Sequence, residues 1–190
     1  GSEMCIRDSS GTAPRMYSLY EASAFSEDDG MLYQYDGFDD NIVIPDNITA
    51  IGESGENVFY YSCNKDSISS ISIPASVTYI SNVAFAGLKK LSNLSVASGN
   101  PVYKSIDGII YTKDGKAIYT VPNNKSSVTV KNGVTTINNY SFYYNPNLTS
   151  VTIPGSVTSI GEGAFGDCGK LSSVCLLYTS PSPRDYAASR

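Results

Sequence analysis

Apolar and small polar residues alternate in short stretches that return at regular intervals along the chain. In residues 148–153 the apolar Val151 and Ile153 alternate with Ser150 and Thr152, which predicts a β-strand with one buried face. Pro154 follows and ends the strand, because proline cannot donate a backbone hydrogen bond to a neighbouring strand. The same order of residues recurs near 42–52, 71–85 and 128–142, so the chain contains an internal repeat.

The repeat has a regular period, which the spacing of equivalent residues defines. Val128 and Val151 are 23 positions apart, and so are Ile71 and Leu94. Two intervals are longer than this period. Ile42 lies 29 positions before Ile71, and Leu94 lies 34 positions before Val128. A single coil of this length cannot bury its own apolar face, so we expect the coils to stack into a solenoid with a shared core.

Each coil is predicted to hold one strand, a second short strand and a short helical turn. In the last clear copy the short strand covers 157–160, and the helical turn covers 162–168 and points Ala164 inward. One phenylalanine per coil occupies the same position of this turn, which predicts an internal ladder of rings rather than a ligand site. Its members are Phe59, Phe85, Phe142 and Phe165.

The longest interval between copies contains a β-hairpin insertion. Residues 107–112 and 116–121 are rich in apolar residues and flank a Lys113-Asp114-Gly115 turn. An Asp-Gly pair between such segments favours a tight hairpin, because glycine tolerates positive φ. Residues 30–37 have a similar composition and predict a second ribbon before the first clear copy.

The composition excludes several classes of function. The 190 residues include no histidine, which removes Ser-His-Asp and Cys-His catalysis, histidine zinc sites and a histidine pH switch. The net charge of -5 argues against a nucleic-acid partner. No apolar run is long enough to span a bilayer, so membrane insertion is not expected within this chain.

The acidic residues are concentrated in the first part of the chain. Residues 10–66 carry eleven acidic and two basic side chains, whereas residues 67–174 carry eight lysines and four acids. The acids at 27–29, 36, 39 and 40 could hold calcium, but they lack the alternating aspartates of a calcium loop. We interpret them as a solvated acidic face, and we predict no cofactor and no metal.

Two cysteines, Cys63 and Cys168, occupy corresponding corners of different coils. They are about four coils apart, or roughly 19 Å at the usual spacing of strands, whereas a disulfide needs Cα atoms within about 7 Å. The sequence therefore predicts two unpaired, largely buried thiols. A catalytic cysteine is disfavoured, because no histidine is present to activate it.

Both ends of the chain resemble translated sequencing-adapter sequence, which divides it into four segments. Residues 1–9 and 175–190 are interpreted as adapter artefacts, 10–29 as a poorly ordered N-terminal segment, and 30–174 as a solenoid of about five coils. In this interpretation the solenoid is a fragment of a longer array. An array cut after residue 174 leaves a strand edge open, which predicts edge-to-edge self-association.

Residues 148–168 closely resemble the BspA-like leucine-rich repeat family. The shared pattern is Leu-x-x-Ile-x-Ile-Pro in its general form, followed by Val-x-x-Ile-Gly and Ala-Phe-x-x-Cys, here Leu148 to Cys168. The resemblance implies a curved leucine-rich-repeat superhelix from a secreted or cell-surface protein of host-associated microbes, mostly bacteria. It also implies adhesion to host matrix proteins or to other cells, and it supplies no catalytic residues.

Two classes of function remain open. The first is a non-catalytic protein-interaction or adhesion module, with carbohydrate binding by its tyrosines as a variant. The second is a structural repeat spacer attached to a catalytic domain outside this fragment; catalysis within the fragment is disfavoured. Tyrosine suits recognition, although ordinary packing at the rim of the solenoid is the favoured interpretation of these tyrosines. The candidate interaction surface comprises Ser70, Ser72, Asn93, Ser95, Thr129, Ser150, Thr152, Tyr103, Tyr111, Tyr119, Tyr143 and Tyr144.

Overall fold

The chain alternates between longer and shorter β-strands, as the repeat pattern predicts. The computed structural model describes residues 24–177, and these contain fifteen strands and no helix. In chain order the strands are β1 (Phe25–Asp28), β2 (Met31–Tyr35), β3 (Asn41–Val43), β4 (Ala50–Ile51), β5 (Ser70–Ile73), β6 (Tyr79–Ile80), β7 (Asn93–Val96), β8 (Tyr103–Ile106), β9 (Ile109–Thr112), β10 (Ala117–Thr120), β11 (Ser127–Thr129), β12 (Thr136–Ile137), β13 (Ser150–Pro154), β14 (Ser159–Ile160) and β15 (Ser173–Leu177).

The longer strands stack in parallel into two three-stranded sheets, β3-β5-β7 and β11-β13-β15. In the second sheet Val128 pairs with Val151 and Val151 pairs with Val174, so each step along the stack is one period of the repeat. In the first sheet Ile71 pairs with Leu94 at the same interval. The shorter strands β4 and β6, and β12 and β14, also pair in parallel, which confirms a solenoid built of repeated coils.

The interior of the stack holds the predicted phenylalanine ladder in two parts. The ring centroids of Phe59 and Phe85 are 5.9 Å apart, and those of Phe142 and Phe165 are 4.8 Å apart in a stacked pair. Tyr35 extends the first part, with its ring 5.6 Å from that of Phe59. The two parts belong to separate core clusters, because the hairpin insertion lies between them.

The insertion is a three-stranded antiparallel ribbon, β8-β9-β10. Asp107 and Gly108 join β8 to β9 and both have positive φ, 54° and 78°, as a tight hairpin turn requires. The predicted β9-β10 hairpin is confirmed, and β8 is an additional strand. At its far end β10 pairs in parallel with β12, so the ribbon returns the chain to the regular stack.

The start of the chain differs from its expected boundary. A hairpin joins β1 to β2 and places an ordered strand at residues 25–28, inside the segment 10–29 that we expect to be poorly ordered. For these four residues that expectation is wrong, because the strand gains a pairing partner in β2. Residues 10–23, and the adapter-like residues 1–9 and 178–190, lie outside the described residues.

The turn that follows each short strand is not helical. In residues 161–168 the amide of Ala164 donates to the carbonyl of Gly161 and that of Gly166 to the carbonyl of Gly163, which makes successive turns. Gly163 has φ of +57°, a left-handed conformation that interrupts a right-handed helix. The short helical turn of the sequence prediction is therefore a chain of hydrogen-bonded turns.

Buried asparagines join neighbouring coils at their corners. Asn100 is fully buried; its Nδ2 donates to the carbonyls of Pro74 (3.1 Å) and Val77 (2.7 Å), while its Oδ1 accepts from the amides of Val102 (2.9 Å) and Tyr103 (2.8 Å). One side chain thus satisfies four main-chain groups that would otherwise be buried without partners.

The two cysteines at the corners differ from each other. Cys168 is a free, half-buried thiol whose Sγ donates to the carbonyl of Phe142 at 3.0 Å, and burial raises its pKa. Cys63 is disulfide-bonded, so the prediction of an unpaired thiol is wrong there. The separation of the coils excludes a bond between Cys63 and Cys168 but not one to a cysteine elsewhere in the chain.

Candidate interaction surface

The outward positions of the longer strands form two small polar patches. On β5 and β7, Ser70 pairs with Asn93 and Ser72 with Ser95, and the Oγ of Ser95 donates to that of Ser72 at 3.0 Å. On β11 and β13 the equivalent residues are Thr129, Ser150 and Thr152, of which Thr129 and Thr152 are directly paired. The structure thus brings together the members of each patch, but part of their hydrogen-bonding capacity is used within the sheet.

The three tyrosines of the hairpin insertion do not lie on the surface. Tyr103 is 4% exposed and Tyr111 is 1% exposed, so the prediction that they contact a partner is wrong. Tyr119 is partly buried against Tyr103, with ring centroids 4.8 Å apart, and its hydroxyl donates to the carbonyl of Ile80. Burial raises the pKa of all three hydroxyls. A buried tyrosine is stable where its hydroxyl finds such a partner.

The other predicted tyrosines are accessible. Tyr144 is 46% exposed and Tyr143 is partly exposed beside it, in the turn between β12 and β13. The turn between β4 and β5 carries a corresponding pair, Tyr60 and Tyr61, of which Tyr61 is the more exposed. Both pairs directly follow a ladder phenylalanine, so the ladder fixes the place of the tyrosines on the outside of the stack.

A groove of about 810 Å³ lies between these two tyrosine-bearing turns. Tyr60 forms one wall, and Tyr143 and Tyr144 form the other. The floor is Ala86 and Gly87, which occupy in their own turn the two positions that hold tyrosines in the turns at 59–61 and 142–144. The groove therefore exists because one turn reads Phe-Ala-Gly where its neighbours read Phe-Tyr-Tyr.

Charged side chains lie along the rim of the groove. Lys89 pairs with Asp66 at 3.3 Å, and the Nζ of Lys65 donates to the carbonyl of Tyr60 at 3.1 Å while lying 5.2 Å from the centroid of that ring. A hydrogen bond to Asp167 raises the pKa of Tyr143. Exposed ion pairs of this kind contribute little to stability, so they are free to rearrange around a ligand.

The sequence predicts Tyr143 and Tyr144 as contact residues but does not predict the groove. The floor residues Ala86 and Gly87 carry almost no side chain, so nothing in a search for chemical groups points to them. Aligning the four phenylalanine-containing turns, and comparing the two residues after each phenylalanine, shows the difference in the sequence itself.

Residues 24–177 contain no cluster of three or more cysteine, aspartate or glutamate side chains that could hold a metal ion. Within the same residues, no helix has the length and apolar character needed to cross a bilayer.

Comparison with known families decides the classification of this fold. The family model described as BspA type leucine rich repeat region matches residues 33–99 and 54–187, with six copies of the repeat. The chain belongs to this family. The resemblance seen in the sequence is thus confirmed, with six copies where the sequence suggested about five coils.

Solved structures of bacterial leucine-rich repeat proteins share the fold. A leucine-rich repeat protein from Eubacterium ventriosum is 25% identical, with a TM-score of 0.56 over 73% of this chain and 42% of that one. A leucine rich cell surface protein from Faecalibacterium prausnitzii is 26% identical, with a TM-score of 0.53 over 76% and 42% of the two chains.

The pneumococcal vaccine antigen PcpA has the same fold at 23% identity, with a TM-score of 0.55 over 72% of this chain and 39% of that one. No curated protein matches the chain. The BspA-type chain spans less than half the length of each of these three structures.

Proposed function

We propose that this BspA-type repeat is a non-catalytic adhesion module of a secreted or cell-surface bacterial protein, and that it binds host matrix proteins. The observation that carries the proposal is the pair of tyrosine-bearing turns on either side of the groove. Tyrosine rings give a large contact area at a small cost in side-chain entropy. Here the fully buried Phe59 and Phe142 hold the tyrosine turns in place.

Two further observations support this function. The chain has a leucine-rich-repeat fold, which offers an extended surface and suits binding to a protein better than turnover of a small substrate. The related Faecalibacterium prausnitzii structure is described as a cell surface protein. A location outside the cell would place the same kind of surface within reach of matrix proteins.

Surface plasmon resonance with immobilised collagen, laminin and fibronectin tests the proposal. We expect the full chain to bind at least one of them saturably, and Tyr143→Ala with Tyr144→Ala to weaken that binding at least tenfold. Tyr33→Ala is the matched control, because Tyr33 is similarly exposed but lies on β2, away from the groove. Absence of binding to all three proteins, or equal loss in the control, would refute the proposal.

A structural repeat spacer beside a catalytic domain is the second candidate function. It is favoured by the outward strand positions, whose serines and threonines are small and partly bonded to one another. The same binding measurement separates the two, because a spacer has no partner of its own.

A further inference from the structure

The groove lies where the stack of turns is incomplete. In a regular coil the turn is formed by the segment 138–150, between the paired positions Ile137 and Val151. In the coil that contains the hairpin, Ile118 and Val128 hold the same two places, and only the segment 119–127 lies between them. This segment is four positions shorter on the outer side, so the turn at 82–88 has a full turn on one side only, the turn that carries Tyr60.

Complete neighbouring turns are joined through their main chains. The turn at 139–144 donates three hydrogen bonds to the turn one coil further on, at 2.8 to 3.0 Å. They run from the amides of Tyr140, Phe142 and Tyr144 to the carbonyls of Glu162, Ala164 and Gly166. The turn at 139–144 therefore carries donors that are directed at the polypeptide lying alongside it.

At the incomplete step two of these donors, the amides of Phe85 and Gly87, have no acceptor within residues 24–177, and that of Gly87 lies in the groove. Gly87 occupies the position of Tyr144. Asn82 lines the same groove, and its buried Oδ1 has no hydrogen-bond partner within the described chain. The unused Gly87 amide can donate to a peptide carbonyl, and the Asn82 Oδ1, which has almost no accessible surface, can accept from a peptide amide once its side chain turns towards the groove.

The side-chain space above the floor also matches a particular group. Ala86 leaves empty the place that Tyr143 occupies in the later turn, whereas the ring of Tyr144 packs against Gly87, 3.5 Å from where a Cβ would lie. Tyrosine rings beside the groove pack edge to face, as Tyr140 and Tyr143 do at 5.5 Å. An aromatic ring inserted over the floor would make the same kind of contact with both walls.

We propose that this groove binds a short polypeptide segment of the partner protein that presents an aromatic side chain. The ring lies over Ala86 between the tyrosine walls, and the main chain of the segment pairs with the Gly87 amide and, once the Asn82 side chain turns towards the groove, with its side-chain carbonyl oxygen. The segment thus takes the place of the missing turn. This inference rests on the proposed binding function and specifies the chemistry of its ligand.

Nuclear magnetic resonance titration of the ¹⁵N-labelled full chain tests the inference with two matched peptides. The first is Gly-Ser-Tyr-Tyr-Ser-Gly and the second is Gly-Ser-Ala-Ala-Ser-Gly, which differ only in the rings. We expect the tyrosine peptide to shift the Gly87 and Tyr144 amide resonances saturably, and the alanine peptide to bind at least tenfold more weakly.

The variant Ala86→Tyr fills the groove with the residue that the later turn carries at the same position, so the fold accommodates it. We expect this variant to lose at least tenfold in affinity and Tyr144→Ala to lose at least fivefold, while Tyr33→Ala stays within twofold of the parent chain. A spectrum with unchanged dispersion shows that each variant is folded.

Several outcomes would overturn the inference. Equal binding of the two peptides would show that no ring is recognised, and unchanged affinity in Ala86→Tyr would place the peptide elsewhere. Saturable shifts of the same amides by maltohexaose, without shifts by the tyrosine peptide, would identify a sugar site instead. If matrix proteins bind the parent chain and the Ala86→Tyr variant equally well, the adhesion proposal holds and the groove inference is wrong. If the tyrosine peptide binds but no matrix protein does, the groove inference holds and the adhesion proposal is wrong.

Discussion

Replacing Asn100 tests how the hairpin insertion is attached to the preceding coil. Its side chain makes four hydrogen bonds from a fully buried position, two as donor to the carbonyls of Pro74 and Val77 and two as acceptor from following amides. At a net value of about 1 kcal/mol for each bond, Asn100→Ala should lower the free energy of unfolding by about 4 kcal/mol. That is a large part of the roughly 5–15 kcal/mol that a domain has in total.

Urea unfolding followed by far-ultraviolet circular dichroism measures this loss. Asn132→Ala is the matched control, because Asn132 is exposed and accepts only the amide of its neighbour Gly133, so we expect a change within about 0.5 kcal/mol. If Asn100→Ala were no more destabilising than Asn132→Ala, the four hydrogen bonds of Asn100 would not attach the insertion to the preceding coil.

Asn100→Asp adds a dependence on pH whose sign follows from the same geometry. Full burial and the facing carbonyls of Pro74 and Val77 raise the pKa of the introduced carboxyl in the folded chain, against the smaller opposite effect of the Val102 and Tyr103 amides. The folded state then binds the proton more tightly, so the free energy of unfolding should rise as the pH falls from about 7 towards about 4, relative to Asn100→Ala. No difference in pH dependence between the two variants would contradict this.

Three further predictions concern the core, alkaline stability and association. Phe142→Ala should cost about 3–5 kcal/mol in urea unfolding and Phe165→Ala clearly less, because the last ring of the ladder is only partly buried; an equal cost would refute the ladder. Burial raises the pKa of Tyr119, so the unfolded chain loses this proton first, and the free energy of unfolding should fall as pH rises above about 10; flat stability there would contradict it. The apolar Leu176 is 50% exposed on β15, and no strand within residues 24–177 pairs with the outer edge of β15. We expect concentration-dependent self-association in light scattering that Leu176→Lys reduces; a monomer at all concentrations would count against it.

The regular part of the fold could be predicted because each coil repeats the same order of apolar and small polar residues, which makes a strand with one buried face. Val128, Val151 and Val174 recur at the distance that one turn of the stack requires, and their alternation with small polar residues fixes which face is buried. The hairpin was predictable for a different reason, since the glycine of the Asp114-Gly115 pair supplies the positive φ of a tight turn, and Gly115 has φ of +78° between β9 and β10. Both the alternation of residues and the Asp-Gly turn depend on residues close together in the sequence, so they can be recognised without knowing how distant parts of the chain pack.

Burial in the insertion could not be predicted in the same way, because it depends on what packs over each face. Tyr111 carries a polar hydroxyl, yet it is 1% exposed and belongs to the same core cluster as Ile109 and Ile118. The groove was hidden for the opposite reason, since Ala86 and Gly87 matter through the side chains that they lack. In a repeat protein a groove can therefore form where one coil lacks the large side chains that other coils carry at the same positions. Such a groove can be recognised in the sequence only when the coils are aligned with one another.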